Sequence, residues 1–208
     1  MNKNLWLKRI RNICGFLGMI LPWISLLGAY LAYKNGAKID WNILSISETY
    51  YFTPALSAVL TAASIVLMTY DGYDLKDNLI TTISGVFGIC IVLFPCSGVI
   101  DEPNVGYFQI PVNISNVIHC VSAGIFFILL AINSFFLFTK GEENPTKEKK
   151  IRNLIYRICG IGMTGSFLLM PLPHFFAQAF IVEAIALTFF GISWLVKGQV
   201  FGLLADKN

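Results

Sequence analysis

Residues 117–139 read VIHCVSAGIFFILLAINSFFLFT, a run without a single aspartate, glutamate, lysine or arginine. About 20 such residues, rising 1.5 Å each, cross the roughly 30 Å hydrocarbon core of a bilayer. A backbone in lipid must satisfy its own N–H and C=O groups, so a run of this kind crosses as an α-helix. Outward from it, similar runs recur at 13–33, 52–70 and 79–99 on one side and at 154–170 and 175–196 on the other. The reading is all-α: a polytopic transmembrane helical bundle of six spans, with 1–208 as one integral membrane domain.

Composition agrees. Of the 208 residues 56% are hydrophobic and 13% charged, against about 25% charged in soluble domains. Mean hydropathy is +0.68. The net charge of +3 is spread over loops, and no block of like charge suggests a nucleic-acid surface. Membrane lipids are the expected partners, and nucleic acid is not. The basic start (Lys3, Lys8, Arg9, Arg11) suits a signal peptide, but the run 13–33 is too long and no small-x-small cleavage site follows. It reads as a retained first span, with Pro22 at its middle tolerated by neighbouring helices.

Orientation follows from the basic residues. With the N terminus inside, the cytoplasmic side holds Lys3, Lys8, Arg9, Arg11, Lys76, Lys140, Lys147, Lys149, Lys150, Arg152, Arg157, Lys197 and Lys207, and the outside only Lys34 and Lys38. Both termini are therefore expected in the cytoplasm, and the protein in a bacterial inner membrane. The five cysteines form no CxxC; Cys96 and Cys120, near the outer ends of spans, are the one pair whose position suits a disulfide.

That topology gathers the ionisable residues outside the cytoplasmic loops. Ser45, Ser47 and Glu48 precede the second span. His119 and Ser122 open the fourth, His174 lies in the Pro171-Leu172-Pro173 break between the fifth and sixth, and Glu183 follows among Phe180, Ile181, Val182 and Ala184. An ionisable group inside a span is costly and faces the bundle interior with a partner. Glu183 is thus either a ligand-binding or proton-carrying carboxylate or a hydrogen-bonded fastener between helices. Ser45 or Ser47 also reads as a helix cap, with Glu48 favoured near the positive helix end.

Three uses of these residues are open. Glu48, His119, His174 and Glu183, with Ser47 and Ser122, suit the polar end of a lipid or amphiphile site near the outer leaflet. The same four residues have ligand types suitable for zinc. A Ser-His-acid hydrolase can be drawn from Ser47 or Ser122, His119 and Glu48. No HExxH, HxxxH or GxSxG supports the last two. A non-catalytic assembly factor or a small transporter is a further reading. The acidic turn Tyr70-Asp71-Gly72-Tyr73-Asp74 reads as a solvated turn or as a cation or partner site. Ile13-Cys14-Gly15 through Gly18 is echoed by Ile158-Cys159-Gly160 through Gly162, as small-residue helix faces.

The series Ser47-Glu48-Thr49-Tyr50-Tyr51, then Tyr70-Asp71-Gly72-Tyr73-Asp74, Leu93-Phe94-Pro95 and Ile118-His119-Cys120-Val121-Ser122-Ala123 resembles uncharacterised bacterial multi-span families. These in turn resemble the damage-regulated autophagy modulator and Sfk-type membrane proteins. The resemblance implies six spans and an outward-facing polar cluster, and no established activity. A second similarity, to the alkaline ceramidase and progestin-receptor-like hydrolases, implies zinc held among Ser, Asp and His residues. This chain lacks that group's paired C-terminal histidines and has one span fewer.

Overall fold

The computed structural model describes residues 3–41, 45–72, 74–98, 102–141, 144–170, 172, 179–202 and 204–205. Six long helices are found among them: α1 (Lys3–Lys34), α2 (Ala55–Met68), α3 (Leu75–Leu93), α4 (Val112–Ile132), α5 (Lys147–Leu169) and α6 (Ala179–Lys197). A 3-10 turn, Ser47–Tyr51, precedes α2, and a π-helical turn, Asn133–Leu137, extends α4. The all-α reading holds, apart from one antiparallel pair, β1 (Asn104–Val105) and β2 (Ile110–Pro111), in the α3–α4 connection.

Element ends follow local chemistry that hydropathy does not see. The third apolar run shifts from 79–99 to Leu75–Leu93 because the Asp74 side chain caps α3, accepting from Asp77 N–H at 3.0 Å, and because Pro95 stops it. α4 starts at Val112, directly after Pro111. α5 starts at Lys147, where Thr146 Oγ1 accepts from Lys149 N–H at 3.1 Å. α2 is shorter than the run 52–70, because Phe52 closes the 3-10 turn, and Pro54 and Thr69 bound the helix as its cap residues.

Each helix packs on its sequence neighbours, and α6 closes against α1, so the six form a ring in chain order. The α1–α6 seam is built on small residues. A Cβ on Gly15 would lie 2.9 Å from Gly191 O, and one on Gly191 would lie 2.8 Å from Gly15 O. Backbones approach this closely in lipid only where side chains are missing. In the other half of the echo, Gly160 faces Phe135 and Gly162 faces the Phe189 ring of α6.

Among the described residues, α1 from Leu5, α3, α4 with its extension and α6 are long and apolar enough to cross a membrane. The exterior is correspondingly apolar: Trp23, Leu27, Ile65, Val121, Phe136, Ile161, Leu168 and Ile181 are all exposed. This is a membrane protein. α2 is apolar but has 14 residues, and α5 carries Lys147, Glu148, Lys149, Lys150, Arg152 and Arg157 through its first turns.

At one end of the ring, here the Lys140 end, Lys140 Nζ donates to Asp74 Oδ2 at 2.9 Å and to Asp77 Oδ1 at 2.7 Å. Gly72 N–H donates to Asn78 Oδ1 at 2.6 Å, and Asn78 Nδ2 to Asp71 Oδ1 at 3.2 Å. The acidic turn is thus used internally, as a cap and a clasp; Tyr73 lies outside the described residues. The Lys140 hydrogen bond, then the Asp77 N–H, hold the Asp74 carboxyl below its usual range. The hydrogen bonds to Asp77 and Asp74 hold Lys140 above its usual range. A lowered acid contributes stability above the ordinary carboxylate range and loses it as pH falls through the depressed value. A raised base contributes below the ordinary ammonium range and loses it as pH rises through the raised value. Lys140→Met is therefore expected to unfold at lower temperature than the wild type at neutral pH. The gap should narrow in strong acid and in strong base, as followed by tryptophan fluorescence.

Candidate functional site

At the opposite end, the α3–α4 connection explains the first site residue. An α-helical carbonyl normally accepts from the N–H four residues on. For Ile91 that residue is Pro95, which has none. His119, on the first turns of α4 and 4% exposed, fills the gap. Its Nδ1 lies 3.2 Å from Ile91 O and 2.9 Å from Phe94 O. One helical turn before it, Ser115 Oγ donates to Pro95 O at 2.8 Å, and the Tyr51 hydroxyl donates to Cys96 O at 2.5 Å. Carbonyls at the α3 C-terminus and in the segment just after it are thus capped by side chains from α4 and from the 3-10 turn.

Two acceptors at Nδ1 decide the tautomer. Nδ1 must carry the proton, so Nε2 in the neutral ring is a lone pair. Nε2 lies 3.1 Å from Ser47 Oγ. Ser47 Oγ in turn lies 3.2 Å from Glu183 Oε1, and Ile46 N–H donates to Glu183 Oε2 at 2.5 Å. A continuous chain results, Glu183–Ser47–His119, joining α6, the 3-10 turn and α4.

Glu48 sits beside this chain and is held differently. Ser45 N–H donates to Glu48 Oε2 at 2.9 Å, and Glu48 N–H donates to Ser45 Oγ at 3.0 Å. This is a reciprocal pair of the capping-box type, and it serves the 3-10 turn rather than α2. Burial pushes the Glu48 carboxyl above its usual range, against the pull of the Ser45 hydrogen bonds. Gly98, at φ +121°, leaves room for it: a Cβ there would lie 2.9 Å from Glu48 Oε1.

Ser47, Glu48, His119 and Glu183 all line one cavity of about 350 Å³. That is near the lower end of small-molecule sites, roughly 300–1,000 Å³. A smaller chamber of about 70 Å³ lies beneath it on the ring axis. All six helices line this chamber, through Leu21, Leu56, Ile91, Phe126, Phe167 and Leu187 among others. Ser47, Ala123, Phe167, Met170 and Glu183 belong to both spaces. On the far side of Glu48 an open hollow carries Lys34, Lys38 and Asp40.

Three of the four expected ligand residues therefore meet, with Ser47 at their centre. His174 lies outside the described residues, as does the Pro171–Pro173 break apart from Leu172. Ser122 does not line the cavity; it is buried a turn further along α4. The hydrolase order Ser-His-acid is not assembled as expected: Ser47 meets His119, but backbone carbonyls occupy Nδ1 and Glu48 turns to Ser45. Among the described residues, no three His, Cys, Asp or Glu side chains are grouped to hold a metal. Cys96 and Cys120 both line the cavity as free thiols.

Sequence reasoning missed Asn116, Cys96, Phe167 and Met170 as lining residues. Asn116 had a signal: it lies three residues before His119, on the same helical face. Its Oδ1 accepts from Ser97 N–H at 3.0 Å. Cys96 offered only its place near the outer end of a span, and Phe167 and Met170 had no signal, because the packing of α5 on its neighbours places them. No family model, no curated protein and no solved structure matches this chain.

Proposed function

We propose that this protein crosses the membrane six times, with both termini in the cytoplasm, and binds a small amphiphile in the axial cavity at its outer end. The lysines and arginines support the orientation: among described residues the Glu183 end carries Lys34 and Lys38, while Lys8, Arg9, Arg11, Lys76, Lys140 and the α5 group sit toward the other. The observation that carries the binding reading is a pair of adjoining spaces that share five lining residues. A space lined by Ser47, Glu48, His119 and Glu183 adjoins an apolar chamber, with Glu183 and Ser47 lining both. A ligand with a polar head and a short apolar tail matches that order of surfaces. The chamber, about 70 Å³, suits a few methylene groups and not a full acyl chain; one water in the liquid takes roughly 30 Å³.

The test leaves the polar groups untouched. Ala123→Phe places a ring in the neck shared by the two spaces. Native mass spectrometry of gently solubilised wild type should show a bound amphiphile, with at least about tenfold less in the variant, or a loss of roughly 1.4 kcal/mol. Equal occupancy in a folded Ala123→Phe protein would defeat the reading. An empty wild type would favour a purely structural role for the polar residues.

A further inference from the structure

The chain Glu183–Ser47–His119 has three groups joined by two hydrogen-bond contacts, and a proton count that decides its state. Ser47 owns one hydroxyl proton and has two neighbours that want it: Glu183 Oε1 at 3.2 Å and His119 Nε2 at 3.1 Å. His119 Nδ1 is committed to the Ile91 and Phe94 carbonyls. With Glu183 ionised and His119 neutral, one of the two contacts has no proton in it. One added proton satisfies both. Either Glu183 carries it and donates to Ser47, which donates to His119, or His119 carries it and donates to Ser47, which donates to Glu183. The two forms interconvert by shifting protons along existing hydrogen bonds. The geometry is therefore complete only with one exchangeable proton on board.

The surroundings say what can replace that proton. Glu48 and the neighbouring Tyr51 come from the 3-10 turn, Cys96 from the segment after α3, and His119 and Cys120 from α4. From α5 the cavity receives Phe167 and Met170, and from α1 and α2 the chamber receives Leu21 and Leu56. Among the described residues, no lysine or arginine lines either space. Lys34 and Lys38 face the separate hollow beyond Glu48. Among the described residues an anionic head would meet two carboxyls and no lysine or arginine. A cationic head would meet a carboxylate placed at the mouth of an apolar chamber.

Resting on the amphiphile-binding reading, we propose that the ligand is a lipophilic cation of the short-chain amine or ammonium class, bound in exchange for the proton held by Glu183, Ser47 and His119. The exchange balances: the protonated site and the cation give the cation-loaded carboxylate site and one proton released to water. By linkage, affinity rises with pH while the resting site holds its proton, by about tenfold per unit at full exchange.

The probes are hexyltrimethylammonium, hexyl sulfate and hexanol, which share a tail and are cationic, anionic and neutral with no head group that titrates. Calorimetry in two buffers of different ionisation enthalpy counts the protons released. Glu183→Gln is the informative variant, because its amide reproduces the protonated carboxyl. The carbonyl accepts from Ile46 N–H and the NH2 donates to Ser47, so the fold is retained while no proton can leave. The expected result is preferential binding of the ammonium probe, release approaching one proton, and affinity that climbs with pH. In Glu183→Gln the release and the pH dependence should vanish, and ammonium affinity should drop at least about tenfold. Glu48→Gln should keep the proton release. Hexanol or hexyl sulfate binding as tightly as the ammonium, or ammonium binding without proton release, overturns the exchange while leaving an amphiphile site. Failure of all three probes to bind overturns both.

Discussion

Replacing His119 with alanine should destabilise the protein more than any other single change at the site. The imidazole is 4% exposed and serves three groups: the Ile91 carbonyl orphaned by Pro95, the Phe94 carbonyl and the Ser47 hydroxyl. Leaving a buried polar group without a partner costs about 1–3 kcal/mol, and the net for this set is about 2–4 kcal/mol. For a chain of this length that corresponds to a fall in Tm of roughly 5–15 °C. His119→Asn separates the causes, since its amide keeps one donor but cannot bridge to Ser47. It should recover part of the stability and none of the proton release on ammonium binding. An alanine variant that melts with the wild type would show that water replaces the ring, and that the α3 terminus does not depend on it.

Gly191→Leu should have an effect of comparable size, far from the cavity. A Cβ at this position already falls 2.8 Å from Gly15 O and 2.9 Å from the Met19 sulfur, and a leucine adds three more carbons. Gly15 O is backbone, so α1 and α6 must separate, and the ring opens where its two ends meet. Overpacking of this kind costs about 1–3 kcal/mol or more. The internal control is Gly165→Leu on α5, where nothing lies within 4 Å of the added Cβ. The same substitution there should leave thermal stability within about 0.5 kcal/mol. Equal melting of both variants would mean that the glycine seam does not set the bundle's stability.

The two variants also separate what a reader of the sequence can see from what only packing shows. Six apolar runs were read as spans, and four of the described helices are long and apolar enough to cross a membrane; these were legible because lipid imposes one requirement on every residue at once, and hydropathy sums it. The boundaries were less legible, because they depend on single hydrogen bonds. Asp74 capping α3 and Thr146 capping α5 extend helices into segments that composition assigns to loops. The acidic turn was legible as a turn. That its aspartates clasp Lys140, from the far end of α4, was not.

For the site, the residue types and the shared end of the bundle were readable from topology. Glu183 stood out because a carboxyl in an apolar run is costly enough to require a partner. Its partners were not readable. Ile46 and Ser47 reach it from 137 and 136 positions away, and no periodicity encodes that pairing. His119 offered its role half-hidden: Leu93-Phe94-Pro95 announces an orphaned carbonyl, but only the packing of α4 on α3 brings the imidazole to it. By itself, then, the sequence determined a helical membrane bundle and the identity of its costly polar groups, since both follow from transfer free energies that each residue carries with it. The tertiary structure alone decided the closed ring, the adjoining cavities and the Glu183–Ser47–His119 chain. Those depend on which faces of six helices meet, a property that no single span possesses.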